Sequence, residues 1–161
     1  MLTAFRQPRF ASRPTPGFTL VELLAVTVIL GLFATLAVPR YGRIVARQRA
    51  DAAATRLALD LRMARQHART YSRSQSVTFN LAVHEYTLPN VPDLDHSQRD
   101  HQVRLAASPY HATLTSVNFG GKTFVTFDGY GIPKASGQVN LTIGVETRAV
   151  LVSATGEVTI Q

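Results

Sequence analysis

The sequence has 161 residues, a formal charge of +7 at neutral pH and no cysteine. This length allows one modest domain, and the lack of cysteine excludes disulfides, thiolate metal sites and thiol nucleophiles. The positive charge is concentrated, because nine arginines but only two acidic residues, Asp51 and Asp60, lie between Arg40 and Arg73. The basic character therefore belongs to one segment rather than to the whole chain.

The N-terminal part has the composition of a leader followed by a membrane anchor. Residues 1–17 contain three arginines and no acidic residue, which is typical of a cytoplasmic leader. Phe18–Val38 then has 21 residues with one formal charge, Glu22. As a helix it would be roughly 30 Å long, the thickness of a bilayer's hydrocarbon core. A carboxylate costs on the order of 2–4 kcal/mol towards mid-membrane, so we expect a partner for Glu22 from another chain.

The segment 39–73 is predicted to be an amphipathic helix. Pro39 lacks an amide hydrogen and is expected to kink or end the membrane segment. Beyond it, apolar residues recur at steps of three and four, which is typical of one buried helix face. The stripe consists of Ala50, Ala54, Leu57, Leu61, Ala64, Ala68 and Tyr71. Most of the arginines lie off this stripe.

From Ser74 onward the apolar period changes to two, which predicts short strands separated by turns. Pro89–Asp100 is polar and acidic, and is predicted to be a surface loop. A long helix followed by short antiparallel strands predicts an α+β fold, with the helix packed on a sheet domain over 74–161. The candidate strands are Ser76–Leu81, Glu85–Leu88, Gln102–Ala106, Thr113–Asn118, Thr123–Phe127, Gln138–Ile143, Ala149–Ser153 and Val158–Ile160.

The sequence contains no pattern typical of an enzyme or of a cofactor site. No nucleophile elbow or phosphate-binding glycine loop is visible, and Asp128-Gly129-Tyr130-Gly131 is interpreted as a turn between strands. One local group of acidic residues and histidines lacks the spacing of a zinc or calcium site. Its members are Asp93, Asp95, His96, Asp100 and His101. We therefore predict a hydrated acidic loop, with no metal and no cofactor.

The string Gly17-Phe18-Thr19-Leu20-Val21-Glu22, between a basic leader and an apolar run, resembles the type III signal of type IV pilins and type II secretion pseudopilins. The resemblance implies that a prepilin peptidase cuts after Gly17 and N-methylates Phe18. It also implies that Glu22 pairs with the N-terminal ammonium of a neighbouring subunit, so that two buried charges cancel in the filament. Pro39 matches the proline that follows the apolar run in that family.

The rest of the chain resembles the GspH/FimT branch of this superfamily. The resemblance rests on Leu57–Arg65 followed by Val77-Thr78-Phe79, and on a looser pattern of glycines and aliphatics from Phe127 to Val158. It implies a pilin-like fold and a non-enzymatic role as a minor pseudopilin of a type II secretion system. The protein would cross the bacterial inner membrane once, with its C-terminal domain in the periplasm, and then join a periplasmic filament. The implied partners are the peptidase, other pseudopilins or pilins, the inner-membrane assembly platform and, before extraction, membrane lipids.

Two alternatives stay open. The first is a FimT-like minor type IV pilin that binds DNA during natural transformation, in a salt-dependent manner. Its candidate contacts, which would equally suit acidic lipid headgroups or carboxylates of neighbouring subunits, are Arg56, Arg62, Arg65 and Arg69. The chain ends without the C-terminal arginine motif that is associated with DNA contacts in that group. The second alternative is a plain signal-anchored periplasmic protein, in which Glu22 would be incidental.

Overall fold

The computed structural model describes residues 17–93 and 99–161, without the side chains of residues 36–40. Apart from Gly17, the predicted leader lies outside the described residues, as do the side chains at the end of the predicted membrane segment. The chain divides into two units, Met1–Arg40 and Tyr41–Gln161, and each is described by itself.

The described part of the first unit is the beginning of one long helix, α1, which runs over Leu20–Tyr71. Thr19 precedes it, and the Thr19 hydroxyl accepts a hydrogen bond from the Glu22 amide at 3.2 Å. This N-cap satisfies one of the free amides of the first helical turn. The side chains of α1 are exposed from its first residue through residue 35. Among the residues whose side chains are described, no helix has a stretch long and apolar enough to cross a membrane.

The helix is continuous through Pro39, so the proline does not end it. An internal proline removes one main-chain hydrogen bond and strains the preceding turn, a cost that the rest of a long helix can offset. A kink at Pro39 stays a prediction.

In the second unit, one face of α1 is buried against the strands. The buried residues of this face are Ala50, Ala53, Ala54, Leu57, Ala58, Leu61, Ala64 and Ala68. The predicted stripe is confirmed except for Tyr71, the last residue of α1, which is exposed. Its ring lies 4.5 Å from that of His67, at an angle of 49°. Most of the buried residues are alanine, so the helix backbone can pack close to the sheets.

In the described residues after α1, eight strands form two antiparallel four-stranded sheets, ordered β3-β2-β1-β5 and β4-β6-β7-β8. The predicted α+β fold, a long helix packed on an antiparallel domain, is confirmed. The division of the strands between two sheets was not predicted. The strands are β1 Gln75–Asn80, β2 Glu85–Pro92, β3 Asp100–Arg104, β4 Thr113–Asn118, β5 Phe124–Phe127, β6 Gly137–Ile143, β7 Glu146–Val152 and β8 Val158–Ile160.

The prediction of a surface loop over Pro89–Asp100 is wrong at both ends. β2 continues to Pro92, which pairs with Asp100 after an irregularity in the ladder that follows Leu88. Two prolines hide the strand pattern in the sequence, because proline normally weakens a strand prediction and is tolerated only at edges and irregularities. Residues 94–98 lie outside the described residues.

The hydrophobic core lies between α1 and the two sheets, and aromatic rings connect its parts. The ring of Phe79 in β1 lies 5.9 Å from that of Tyr86 and 6.1 Å from that of Phe119, the residue after β4. At the start of β6, a Cβ atom on Gly137 would overlap the carbonyl oxygen of Asn118. The close pairing of β4 and β6 therefore requires glycine at this position.

Candidate functional site

The N-terminal candidate site comprises Phe18, Thr19 and Glu22 at the start of α1. Phe18 is exposed. The Thr19 carbonyl oxygen accepts a hydrogen bond from the Leu23 amide at 3.1 Å, and the Thr19 hydroxyl accepts one from the Glu22 amide. The Glu22 side chain is also exposed, and within the described ranges no residue forms an ion pair with its carboxylate. Since the helix dipole favours a negative charge in the first turn, this carboxylate is held where a cation from another chain can reach it.

Thr19 is a residue of this site that the sequence predictions did not include. The spacing of Thr19 and Glu22 is that of a capping box, so a search for helix N-termini would have found it. The cap orders the first turn and thereby fixes the position from which Glu22 projects.

The apolar side chains that follow Glu22 are exposed as far as residue 35. Leu20, Leu24 and Leu32 are each more than half exposed, although they belong to a helix. Two threonines within this stretch, Thr27 and Thr35, satisfy their hydroxyls by donating to helix carbonyl oxygens, at 2.9 and 2.7 Å. An apolar surface of this extent marks a contact with lipid or with protein.

The four arginines proposed from sequence as DNA or lipid contacts all bind within the domain. Arg56 Nε lies 3.1 Å from Asp60 Oδ2. Arg62 donates to the carbonyl of Val158 at 2.7 Å. Arg65 donates to the carbonyl oxygens of Gly131 and Thr155, both at 3.2 Å. Arg69 donates to the carbonyl oxygen of Tyr130 at 2.8 Å. Arg65 and Arg69 fasten α1 to the loops after β5 and β7, and Arg62 fastens it to β8, a structural use that the sequence did not indicate.

Two glycines let those loops approach the arginines. Gly131 and Gly156 have φ values of +76° and +79°, in the left-handed region that favours glycine. A Cβ atom on Gly131 would lie 2.7 Å from Arg69 Nε, and one on Gly156 would lie 2.5 Å from the carbonyl oxygen of Gly131. The predicted turn at Asp128–Gly131 is therefore also a docking point for α1.

We expect Arg65→Gln to lower the free energy of unfolding by about 1–2 kcal/mol, because it removes two hydrogen bonds from a charged donor. Urea unfolding of a fragment spanning residues 41–161 would measure this. Arg43→Gln is the matched control, since Arg43 lies on the same helix, is exposed and has a side chain that makes no hydrogen bond or ion pair within the described residues. Its effect should stay within about 0.5 kcal/mol. Equal effects of the two substitutions would contradict the fastening role of Arg65.

Arginines without such contacts lie at the two ends of the basic segment. Arg43, Arg47, Arg49 and Arg73 are exposed, and no hydrogen bond or ion pair joins their side chains to other described residues. These side chains are available to phosphates of lipid or of DNA, and so are the remaining donors of the exposed Arg62 and Arg69. Contacts of either kind stay predictions.

A buried polar cluster joins α1 to the first sheet, and the sequence predictions missed it. Asp60 is 5% exposed, and its Oδ2 accepts a hydrogen bond from the Tyr86 hydroxyl at 2.6 Å. The same oxygen lies 3.3 Å from Nε2 of His101, which in turn is 3.3 Å from a terminal nitrogen of Arg56. A charged residue on an arginine-rich helix suggests a solvated ion pair, so only the position of β2 and β3 reveals the burial.

Charge and burial act together in this cluster. Burial and the adjacent Asp60 carboxylate raise the pKa of Tyr86 well above its usual range, so the phenol remains protonated and donates. Burial alone would lower the pKa of Arg56, but the Asp60 carboxylate, with smaller contributions from Tyr86 and Tyr110, raises it. The cluster is therefore a satisfied network with a charged arginine and a neutral tyrosine.

The acidic group predicted to be a hydrated loop is not one unit. His101 is buried in β3 against Asp60, which corrects the prediction that it is solvated. Asp100 accepts the Asn90 amide at 2.8 Å, whereas Asp95 and His96 lie outside the described residues. Among the residues that the structure describes, no group of three or more histidines and carboxylates could hold a metal ion.

The sequence matches two models of protein families. The model of the family described as type II transport protein GspH matches residues 53–156, which is more than half of the chain. The chain belongs to the GspH family. The prokaryotic N-terminal methylation motif matches residues 14–38, which include the whole string from Gly17 to Glu22. A search of curated proteins found no match.

Two crystal structures of the type IV minor pilin FimU from Pseudomonas aeruginosa have a similar fold. The first has a TM-score of 0.54 at 17% identity, and the match covers 71% of this chain and 90% of FimU. The second, from another crystal form, has a TM-score of 0.50 at 14% identity and covers 69% of this chain and 91% of FimU. At such identities the likeness concerns the fold, which is that of a minor pilin.

Family and fold together make this GspH-family chain a structural subunit of the pilin and pseudopilin type. The methylation motif implies processing by prepilin peptidase and assembly into a filament. The predicted membership of the pilin-like superfamily and of its GspH/FimT branch is thereby confirmed.

Proposed function

We propose that this chain is a minor pseudopilin of a type II secretion system. The observation that carries the proposal is the match of the GspH family model to the helix and sheets of the second unit. The role is structural, in that the subunit supports protein secretion by taking its place in a short periplasmic filament.

The proposed life cycle starts with a precursor in the inner membrane. Prepilin peptidase removes residues 1–17 by cutting after Gly17, and methylates Phe18. Phe18–Val38 anchors the chain in the membrane with residues 74–161 in the periplasm, and Arg43 contacts acidic lipid headgroups there. The inner-membrane assembly platform then extracts the subunit into the filament. The exposed apolar side chains of α1 support this step, because they would pack among neighbouring helices once lipid is left behind.

Assembly is driven by apolar burial and by one charge pair. In the filament the Glu22 carboxylate pairs with the ammonium group of a neighbouring subunit's Phe18. Two opposite charges that are buried together cancel much of the cost that each would have alone. The exposure of Glu22 and the cap at Thr19 support this role.

Gly17→Ala tests the function when it is expressed in a deletion strain of the native bacterium. We expect the uncleaved precursor to accumulate on an immunoblot, and type II-dependent secretion to stay at the level of the deletion strain. Gly31→Ala is the matched control, because Gly31 lies in the same N-terminal segment and has open space around it. Normal cleavage of Gly17→Ala would contradict the peptidase site.

The same strains separate secretion from DNA uptake. If the deletion abolishes natural transformation and leaves secretion intact, the chain is a FimT-like minor pilin and the secretion proposal is wrong. If secretion fails and transformation is unchanged, the proposal stands.

A further inference from the structure

Both lysines of the chain, Lys122 and Lys134, line one small pocket on the sheet domain. The pocket has a volume of about 170 Å³ and lies beside β5, with Phe124 and Thr126 among its walls. The two lysines are 12 positions apart in the sequence, so the fold must bring them together.

A tight turn and a strand place the first lysine. Gly120 and Gly121, with φ values of +63° and +82°, form a two-residue turn, and the main chains of Phe119 and Lys122 bond each other across it at 3.0 and 3.3 Å. Side chains alternate along β5, so Lys122 and Phe124 share the outer face, while Val125 is buried.

The second lysine arrives on the neighbouring extended segment. The Lys134 amide donates to the Thr126 carbonyl at 2.9 Å, which sets Lys134 beside β5. Both lysine side chains thus border one recess. The Lys122 ammonium lies 5.3 Å from the centre of the Phe124 ring, a cation–π contact that orients it.

No carboxylate neutralises this pair within the described part of the chain. Neither lysine forms an ion pair there, and no acidic residue lines the pocket. Asp128, which lies close along the chain, has its Oδ1 occupied by the amides of Tyr130 and Ile132, at 2.9 and 2.8 Å. Two lysines that line one recess without a carboxylate attract an oxyanion.

We propose that the Lys122–Lys134 pocket receives a carboxylate side chain from an acidic segment of a partner protein. The volume suits one carboxylate and its methylene groups, whereas a nucleotide is larger. One carboxylate responds mainly to the two lysines beside the pocket, because salt screens charges that lie farther away than roughly 10 Å.

The test uses the full chain in a neutral detergent, labelled with ¹⁵N, and a hexaglutamate peptide as the probe. We expect peptide-dependent shifts of the Lys122, Phe124, Thr126 and Lys134 amides. The variant Lys122→Gln/Lys134→Gln should bind about five-fold more weakly, as expected for the loss of two exposed ion pairs. Arg49→Gln/Arg73→Gln removes the same charge at exposed sites elsewhere and should change affinity by less than about two-fold.

Each remaining outcome decides against the proposal. Equal weakening by the two double variants would mean non-specific attraction to positive charge. Shifts confined to other residues, or no shifts, would mean that the pocket does not bind carboxylates. Tighter binding of a six-nucleotide oligothymidylate at the same amides would assign the pocket to nucleic acid. Because both lysines are exposed, the variants should unfold at the wild-type temperature, and this is checked first.

Discussion

Glu22→Ala should leave membrane insertion and cleavage largely intact, and should reduce incorporation into the filament more than about ten-fold. Without the carboxylate, the ammonium of the neighbouring subunit enters the filament core unpaired, at a cost on the order of 2–4 kcal/mol. Insertion does not suffer, because removing a charge from an apolar helix makes insertion easier. Sheared filaments, analysed by immunoblot against membrane fractions, would measure the ratio of assembled to unassembled subunit.

Thr27→Ala is the matched control for that experiment. Thr27 is a polar residue in the same exposed stretch, but its hydroxyl is satisfied by the Leu24 carbonyl at 2.9 Å, so no partner is needed. We expect its incorporation to be normal. Unchanged incorporation of Glu22→Ala would refute the charge pair and leave apolar packing as the driving force. Reduced cleavage of Glu22→Ala would instead place Glu22 in recognition by the peptidase.

Asp60→Ala should lower the free energy of unfolding by about 3–5 kcal/mol, the cost of breaking a buried ionic network. The substitution leaves the Tyr86 hydroxyl without its acceptor, and the Arg56 guanidinium without its charge partner. Urea unfolding of a fragment spanning residues 41–161 would measure the change, since this fragment contains the whole of the described core.

Asp51→Ala is the control for Asp60, because it removes an equal charge from the same helix at an exposed position. Asp51 contacts Arg148 Nε at 2.6 Å, but Arg148 keeps Glu146 and the Thr147 carbonyl as partners. We therefore expect a loss of about 1 kcal/mol or less. If Asp60→Ala and Asp51→Ala lower the free energy of unfolding by the same amount, the Asp60 cluster stabilises the fold no more than a surface ion pair does.

Local patterns in the sequence predicted the elements well, because each pattern involves adjacent residues. β4 and β8 have their predicted bounds, and the Gly120–Gly121 turn joins strands as expected. β2 was predicted too short, because Pro89 and Pro92 interrupt the alternation while the chain still pairs with β3. Tyr71 was assigned to the buried stripe by its spacing, but the strands do not cover the end of the helix.

The partners of the arginines on α1 could not be predicted from the sequence. Composition indicates that α1 is basic, but the acceptors of Arg62 and Arg65 are main-chain carbonyls more than sixty positions away. Carbonyl oxygens exist at every residue, so no pattern of side chains marks these partners. The exposed Arg62 and Arg69 therefore also have structural bonds that the sequence did not indicate.

The sequence by itself determined the processing string at Gly17–Glu22, the amphipathic helix, the α+β class and the pilin-like superfamily, because each depends on contiguous residues or on a short period. Only the tertiary structure decided how the strands divide between two sheets, which arginines stay available, and that Asp60 and His101 are buried together. Only the tertiary structure also shows that Lys122 and Lys134 line the same pocket. Contacts between distant segments depend on strand order and loop geometry, and these are set by the packing of the whole core rather than by any local stretch.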